Sequence, residues 1–164
     1  THLFTNVQLS RYISAVANRG NVFELSLLDN VKDRDGNVIT EFTPQISSHI
    51  DIESSTWDYV QLGMRQVIQD GSAKKMFKDL DVEIAGKTGT AQETKSRANH
   101  AFFVSFAPYS NPEISITVNI PFGYSSSNAA LVAKNAYKLY FGYTDINSII
   151  NSKATPVVDV NVGD

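Results

Sequence analysis

Three β-patterned runs crowd into residues 82–121, and that crowding restricts the fold more than anything else in the chain. Residues 82–92 pass through a glycine-rich word, residues 100–108 are apolar and aromatic, and residues 114–121 are β-branched and alternating. A turn word, Ser110-Asn111-Pro112, parts the second from the third. Behind them Ser127 caps an expected helix with Ala129, Val132, Ala133, Ala136 and Tyr140 on one side. Three consecutive strands and a closing helix predict an α/β (α+β) chain, an antiparallel sheet flanked by helices.

The first half is less regular. Thr5 and Asn6 predict a helix start, Leu9, Tyr12, Ile13 and Val16 share a face up to about Asn18, and Gly20 is a stop. From Phe23 to Phe42 the pattern turns to β, with Asp35-Gly36 as a hairpin turn. Residues 44–55 read as a polar connection. Ser55 then precedes a helix with Trp57, Val60, Met64, Val67 and Ile68 as its buried stripe, stopping near Asp70-Gly71. A short helix is expected over residues 73–80. After Gly142 the chain is polar and aperiodic, so residues 1–143 read as the folded unit and residues 144–164 as a C-terminal tail.

Bulk properties exclude several classes of function. Of 164 residues, 42% are hydrophobic and 19% charged, the balance of a globular protein. The net charge of −3 gives no reason to expect a nucleic acid partner. Without cysteine there are no disulfides, no thiolate catalysis and no Cys-based zinc site in this stretch, which fits an exported bacterial protein. No apolar run is long enough to span a bilayer, and no signal peptide opens the chain at Thr1. The expectation is a chain processed or cut from something longer, with any membrane anchor in the other part.

The chemistry concentrates in Ala85-Gly86-Lys87-Thr88-Gly89-Thr90-Ala91-Gln92. Strand side chains alternate faces, so Lys87 and Gly89 share one face, and Thr88 and Thr90 the other. Ideal alternation does not aim a cation and two hydroxyls at one ligand. A twisted edge strand can still serve one, with hydroxyls reaching around the edge and Gly89 letting a backbone approach. An extended peptide could pair with that edge, and a carboxylate end would suit the cation and hydroxyls.

With its flanking blocks this word resembles the class B penicillin-binding proteins. Thr5-Asn6-Val7-Gln8-Leu9-Ser10 is similar to the family's Thr-Pro-Leu-Gln-Leu-Ala, and Met64 through Ala73 to its Met-to-Gly-Thr-Ala helix end. Lys87 to Gln92 resembles its Lys-Thr-Gly-Thr-Ala-Gln strand, and His100 to Pro108 its His-Ala-Trp-Phe-Val-Gly-Phe-Ala-Pro strand. The resemblance runs from about Phe4 to Tyr143. Its departures are Asn6 for Pro, Ser10 for Ala, Ser72 for Thr, Phe102 for Trp and Ser105 for Gly.

The resemblance implies the C-terminal portion of a transpeptidase domain of the penicillin-binding protein and serine β-lactamase-like fold. It implies a D,D-transpeptidase whose serine lies outside this chain and attacks the carbonyl between two D-alanines of a peptidoglycan stem peptide. Lys87 would supply positive charge beside the serine of a Ser-x-Asn motif outside this chain and near the substrate carboxylate, and the Thr88 and Thr90 hydroxyls would hold that carboxylate. The Thr90 backbone N–H would form half of an oxyanion hole, and β-lactam antibiotics would acylate the nucleophilic serine. No cofactor and no metal is implied. The implied partners are the N-terminal part of the same transpeptidase and a cell-wall synthesis complex. The implied location is the extracytoplasmic face of the bacterial membrane.

The family order is Ser-x-x-Lys, then Ser-x-Asn, then Lys-Thr-Gly. Ser72-Ala73-Lys74-Lys75 mimics the first but lies too close to Lys87. Ser126-Ser127-Asn128 mimics the second but follows the Lys-Thr-Gly strand and reads as a helix cap. His100 reads as a hydrogen-bonded strand end, since a lone histidine lacks the partners a site needs. Phe102, Phe103 and Phe106 read as packing. Asp33, Asp35 and Asn37 lack the later glutamate of a calcium loop and read as a turn. A β-lactam sensor, a degenerate relative without the serine and a class D β-lactamase share the fold; the block at residues 100–108 favours the transpeptidase over the sensor and the lactamase, and only residues upstream of this chain separate it from the degenerate relative.

Overall fold

A computed structural model describes residues 4–151. Helix α1 (Asn6–Ala17) starts where the cap word predicts it. Thr5 closes a capping box: Gln8 N–H donates to Thr5 Oγ1 at 3.2 Å and Thr5 N–H to Gln8 Oε1 at 2.8 Å, satisfying two of the donors a helix start leaves free. At the other end Gly20 has φ +102°, and a Cβ there would lie 2.5 Å from the Ile50 carbonyl oxygen, so only glycine makes this stop.

Four short strands follow: β1 (Asn21–Phe23), β2 (Asn30–Lys32), β3 (Val38–Glu41) and β4 (Ile46–His49). The hairpin β2–β3 turns at Asp35-Gly36 as expected, with Gly36 at φ +90°. Asp33 closes it by accepting from the backbone N–H groups of Asp35 and Asn37 and from the Asn37 side chain. The expected polar connection over residues 44–55 instead contains β4, which pairs antiparallel with β1. Both faces of β4 are exposed, so no alternation of apolar and polar residues marks it.

Helix α2 (Ser54–Gln69) ends near Asp70 as expected, but its buried residues are Trp57, Gln61 and Ile68, while Val60 is 41% exposed. Gln61 is inside because its side-chain amide donates to the Val16 and Ala17 carbonyls in the last turn of α1, at 2.8 and 3.2 Å; the Val16 carbonyl also accepts from the Arg19 N–H at 3.3 Å. Helix α3 (Lys74–Phe77) is the core of the short helix expected over residues 73–80.

The three predicted strands form one antiparallel sheet in the order β5 (Ala85–Ala91), β6 (His100–Ala107), β7 (Ile114–Ile120). Helix α4 (Ser126–Tyr140) returns over it, capped by Ser125 and not by the expected Ser127. The face packed on the sheet is Ala129, Ala130, Ala133 and Tyr137, which lets the helix lie close to Ala101 and Phe103 and leaves Val132 and Tyr140 about half exposed. Lys134 of α4 pairs with Asp79 beyond α3, and that hydrogen bond holds the Asp79 carboxyl below the usual carboxylate range.

Each face of the sheet has its own core. Ala101, Phe103 and Ala107 of β6 pack with Ala73, Phe77 and the α4 stripe; Phe106 and Ala85 pack with Ile13, Val16 and Ala17 of α1. Helix α2 spans both, placing Trp57 in the second core and Ile68 in the first. Within the expected tail, Ile146–Ile150 form helix α5, capped by Asp145. The rest of that tail, residues 152–164, lies outside the described residues.

Candidate active site

Strand β5 pairs with β6 only, so among the described residues its other edge carries no strand. Register runs from Ala85 opposite Phe106 to Ala91 opposite His100. Gly86 fixes β5 against β6: a Cβ there would meet Phe103 Cζ at 2.7 Å, Ser105 Cβ at 3.0 Å and the Val104 carbonyl oxygen at 3.1 Å. Helix α2 covers the start of the strand, where Arg65 donates to the Ile84 carbonyl at 2.8 Å. Beyond it Lys87 and Thr90 are exposed, and Thr88 and Gly89 are partly so.

Alternation holds along this edge. Lys87 sits opposite Val104 on the α1 side of the sheet, and Thr88 opposite Phe103 on the α4 side. The lysine nevertheless returns to the edge, where Nζ donates to the carbonyl of Thr88 at 2.8 Å. Cation and threonine backbone therefore meet at one place although their side chains leave opposite faces. A Cβ on Gly89 would meet Phe102 Cβ at 3.4 Å, an ordinary contact, so packing within this chain does not demand glycine there. The arrangement offers a cation, two hydroxyls and extended backbone along one open edge, which suits an extended peptide with a carboxylate end.

The Thr88 hydroxyl has a partner that sequence reasoning did not supply. Ser72 Oγ lies 2.9 Å from Thr88 Oγ1. In sequence Ser72 reads as a false Ser-x-x-Lys serine and as a serine in place of the family's threonine, and a separation of sixteen residues gives no hint of the contact. The second false motif is structural: Ser126 is buried at the start of α4, and Asn128 donates its side-chain amide to the Gly123 carbonyl at 2.8 Å.

His100 is the strand-end histidine expected. Its Nδ1 accepts from the Phe122 backbone N–H at 3.3 Å and its Nε2 faces Glu93 at 3.5 Å, tying the β5–β6 connection to the end of β7. Phe103 and Phe106 pack in opposite cores, and Phe102 is partly exposed. Ser105 stands where the resembling family has glycine. Its hydroxyl accepts from buried Tyr137 at 2.9 Å, and burial pushes the Tyr137 hydroxyl well above the ordinary tyrosine range.

Comparison with known proteins places this fold. Residues 3–139 match the family model of the penicillin binding protein transpeptidase domain. The chain belongs to that family, in its class B, penicillin-binding protein 2-like branch, and corresponds to the C-terminal part of the domain. It is 31% identical over 139 residues to penicillin-binding protein 2A of Bacillus subtilis, covering 76% of this chain and 19% of that protein. To the peptidoglycan D,D-transpeptidase MrdA of Haemophilus influenzae it is 28% identical over 155 residues, 83% of this chain and 23% of the relative. Penicillin-binding protein 2B of Streptococcus pneumoniae superposes with a TM-score of 0.75 at 24% identity, over 88% of this chain and 26% of that one. The chain thus spans about a fifth of the length of the curated relatives it matches.

Proposed function

We propose that this chain forms one wall of the active site of a peptidoglycan D,D-transpeptidase, and that the nucleophilic serine is contributed by another part of the same protein. The observation that carries the reading is the open edge of β5, where the Lys87 ammonium lies at the Thr88 carbonyl and Thr90 is exposed beside it. Family membership and a relative named as a peptidoglycan D,D-transpeptidase support it.

On this reading a stem peptide ending in D-Ala-D-Ala lies along β5 as an added strand, with Gly89 leaving room for its backbone. Its terminal carboxylate meets the Thr88 and Thr90 hydroxyls and the charge of Lys87, interactions stronger than those between neutral groups. The serine attacks the penultimate carbonyl, the carbonyl oxygen becomes an oxyanion, and the Thr90 N–H supplies half of the hole that stabilises it. The C–N bond breaks, the terminal D-alanine leaves with a proton on its amine, and an acyl-enzyme remains. An amine of a neighbouring stem peptide then takes the acyl group and frees the serine. β-Lactams present a similar carboxylate and carbonyl and acylate the same serine. The reaction belongs to the outer face of the cytoplasmic membrane, within a cell-wall synthesis complex.

The test is Lys87→Ala in the complete protein, read as the acylation rate with a fluorescent penicillin. Loss of one preorganised charge at a partly desolvated site should slow acylation about 10²–10³-fold. A rate within a factor of two of the parent would remove Lys87 from the site.

A further inference from the structure

We infer that Ser72 is a positioning residue for the substrate carboxylate, acting through Thr88; the inference rests on the function proposed above. Its hydroxyl lies 2.9 Å from Thr88 Oγ1, and Thr88 is the residue whose carbonyl holds the Lys87 ammonium. The cation, the first threonine of the edge and Ser72 thus form one connected group.

Ser72 is fixed from both sides. Gly71 N–H donates to the Gln66 carbonyl at 2.9 Å, and Ala73 N–H to the Val67 carbonyl at 3.1 Å. A Cβ at Gly71 would lie 2.8 Å from Val67 Cα, so glycine is required to bring the chain this close to α2. Ala73 is fully buried in the core beneath α4. The serine is therefore a fixed post beside a partly exposed strand. Its own side chain is exposed and carries no packing load, so the fold does not account for its hydroxyl.

Chemistry supplies a use. A threonine hydroxyl has one proton and can aim it at any acceptor within reach. The Thr88 side chain must spend that proton on the substrate carboxylate if it is to bind it. When Ser72 donates to Thr88 Oγ1, the Thr88 proton is left to point outward, and a hydroxyl that accepts one hydrogen bond donates the next more strongly. The relay runs Ser72 O–H to Thr88 O–H to carboxylate, with no proton transferred and no bond broken. Ser72 needs no contact with the substrate, and its part is played in binding before acylation.

The experiment uses the complete protein and separates binding from acylation by rapid-mixing kinetics, with a carboxylate-bearing β-lactam and its neutral ester. Ser72→Ala should weaken pre-acylation binding of the carboxylate compound about three- to tenfold, the scale of one net hydrogen bond. The first-order acylation constant and the ester should stay within a factor of two, and Ser72→Thr should restore binding. Added to Thr88→Val, Ser72→Ala should cost nothing more, because the two act through one hydroxyl. An unchanged Ser72→Ala beside an impaired Thr88→Val overturns this inference alone, as do equal losses for acid and ester or fully additive losses in the double variant. An unimpaired Thr88→Val overturns the carboxylate role of the strand, and this inference with it.

Discussion

The threonines of β5 can be tested apart from the strand that carries them. Thr88→Val and Thr90→Val keep β-branching and nearly the same volume, so the strand should persist. Each removes one hydroxyl assigned to the substrate carboxylate, and losing a hydrogen bond to a charged group costs about 1.5–3 kcal/mol, or roughly one to two decades in acylation efficiency. The Thr90 N–H survives both changes. The defect should therefore be large for a carboxylate-bearing β-lactam and small for its ester, measured on the complete protein. Equal losses would leave both threonines as strand formers. At this scale the candidate residues were legible because one cation, two hydroxyls and a glycine fall in one short word. Ser72 was not, because the contact that gives it meaning joins two elements, α3's approach and β5, through a turn whose geometry no periodicity reports.

Among the elements, β5 depends on close contact with β6. Gly86→Ala would drive a methyl group against the Phe103 ring and the Val104 carbonyl. Overpacking of that kind costs about 1–3 kcal/mol, and it should lower the thermal unfolding temperature of the complete protein while displacing the Lys-Thr-Gly edge. Unchanged stability would mean that the strand has slack that its register does not suggest. The other tie is Tyr137 to Ser105, both buried. Because the folded Tyr137 holds its proton far above the range where an unfolded tyrosine releases it, near 10, its contribution is intact below that pH. It is lost as pH rises beyond it. Tyr137→Phe should remove that alkaline component, and should cost about 1–3 kcal/mol at neutral pH by leaving the Ser105 hydroxyl with a poorer partner. A pH titration of unfolding in both proteins reads the two effects. The sheet and its helices were legible as elements, since periods of two and 3.6 survive in residues 82–140. Strand β4 was not, having two exposed faces, and Gln61 was not, since a buried amide is explained only by the α1 carbonyls that it caps.

The whole molecule shows many large apolar residues at its surface. Phe4, Val7 and Tyr12 on and before α1 are each about three-fifths exposed, and Leu25, Leu27, Val38 and Ile39 are bare around the β2–β3 hairpin. Exposed apolar surface on this scale marks an interface. On the function proposed, the rest of the transpeptidase domain covers it, and a recombinant chain of residues 1–164 should aggregate or bind hydrophobic dyes strongly. A monodisperse monomer that unfolds cooperatively would instead make the chain a self-sufficient domain. The central claim is that this chain supplies the Lys-Thr-Gly wall while the nucleophile lies elsewhere in the protein. Its most direct measurement is covalent labelling by a fluorescent penicillin, with the modified serine located by peptide mapping. The account predicts label on the complete protein at a serine outside residues 1–164, and none on the isolated chain. Label at Ser72, Ser126 or any other serine of this chain would contradict it.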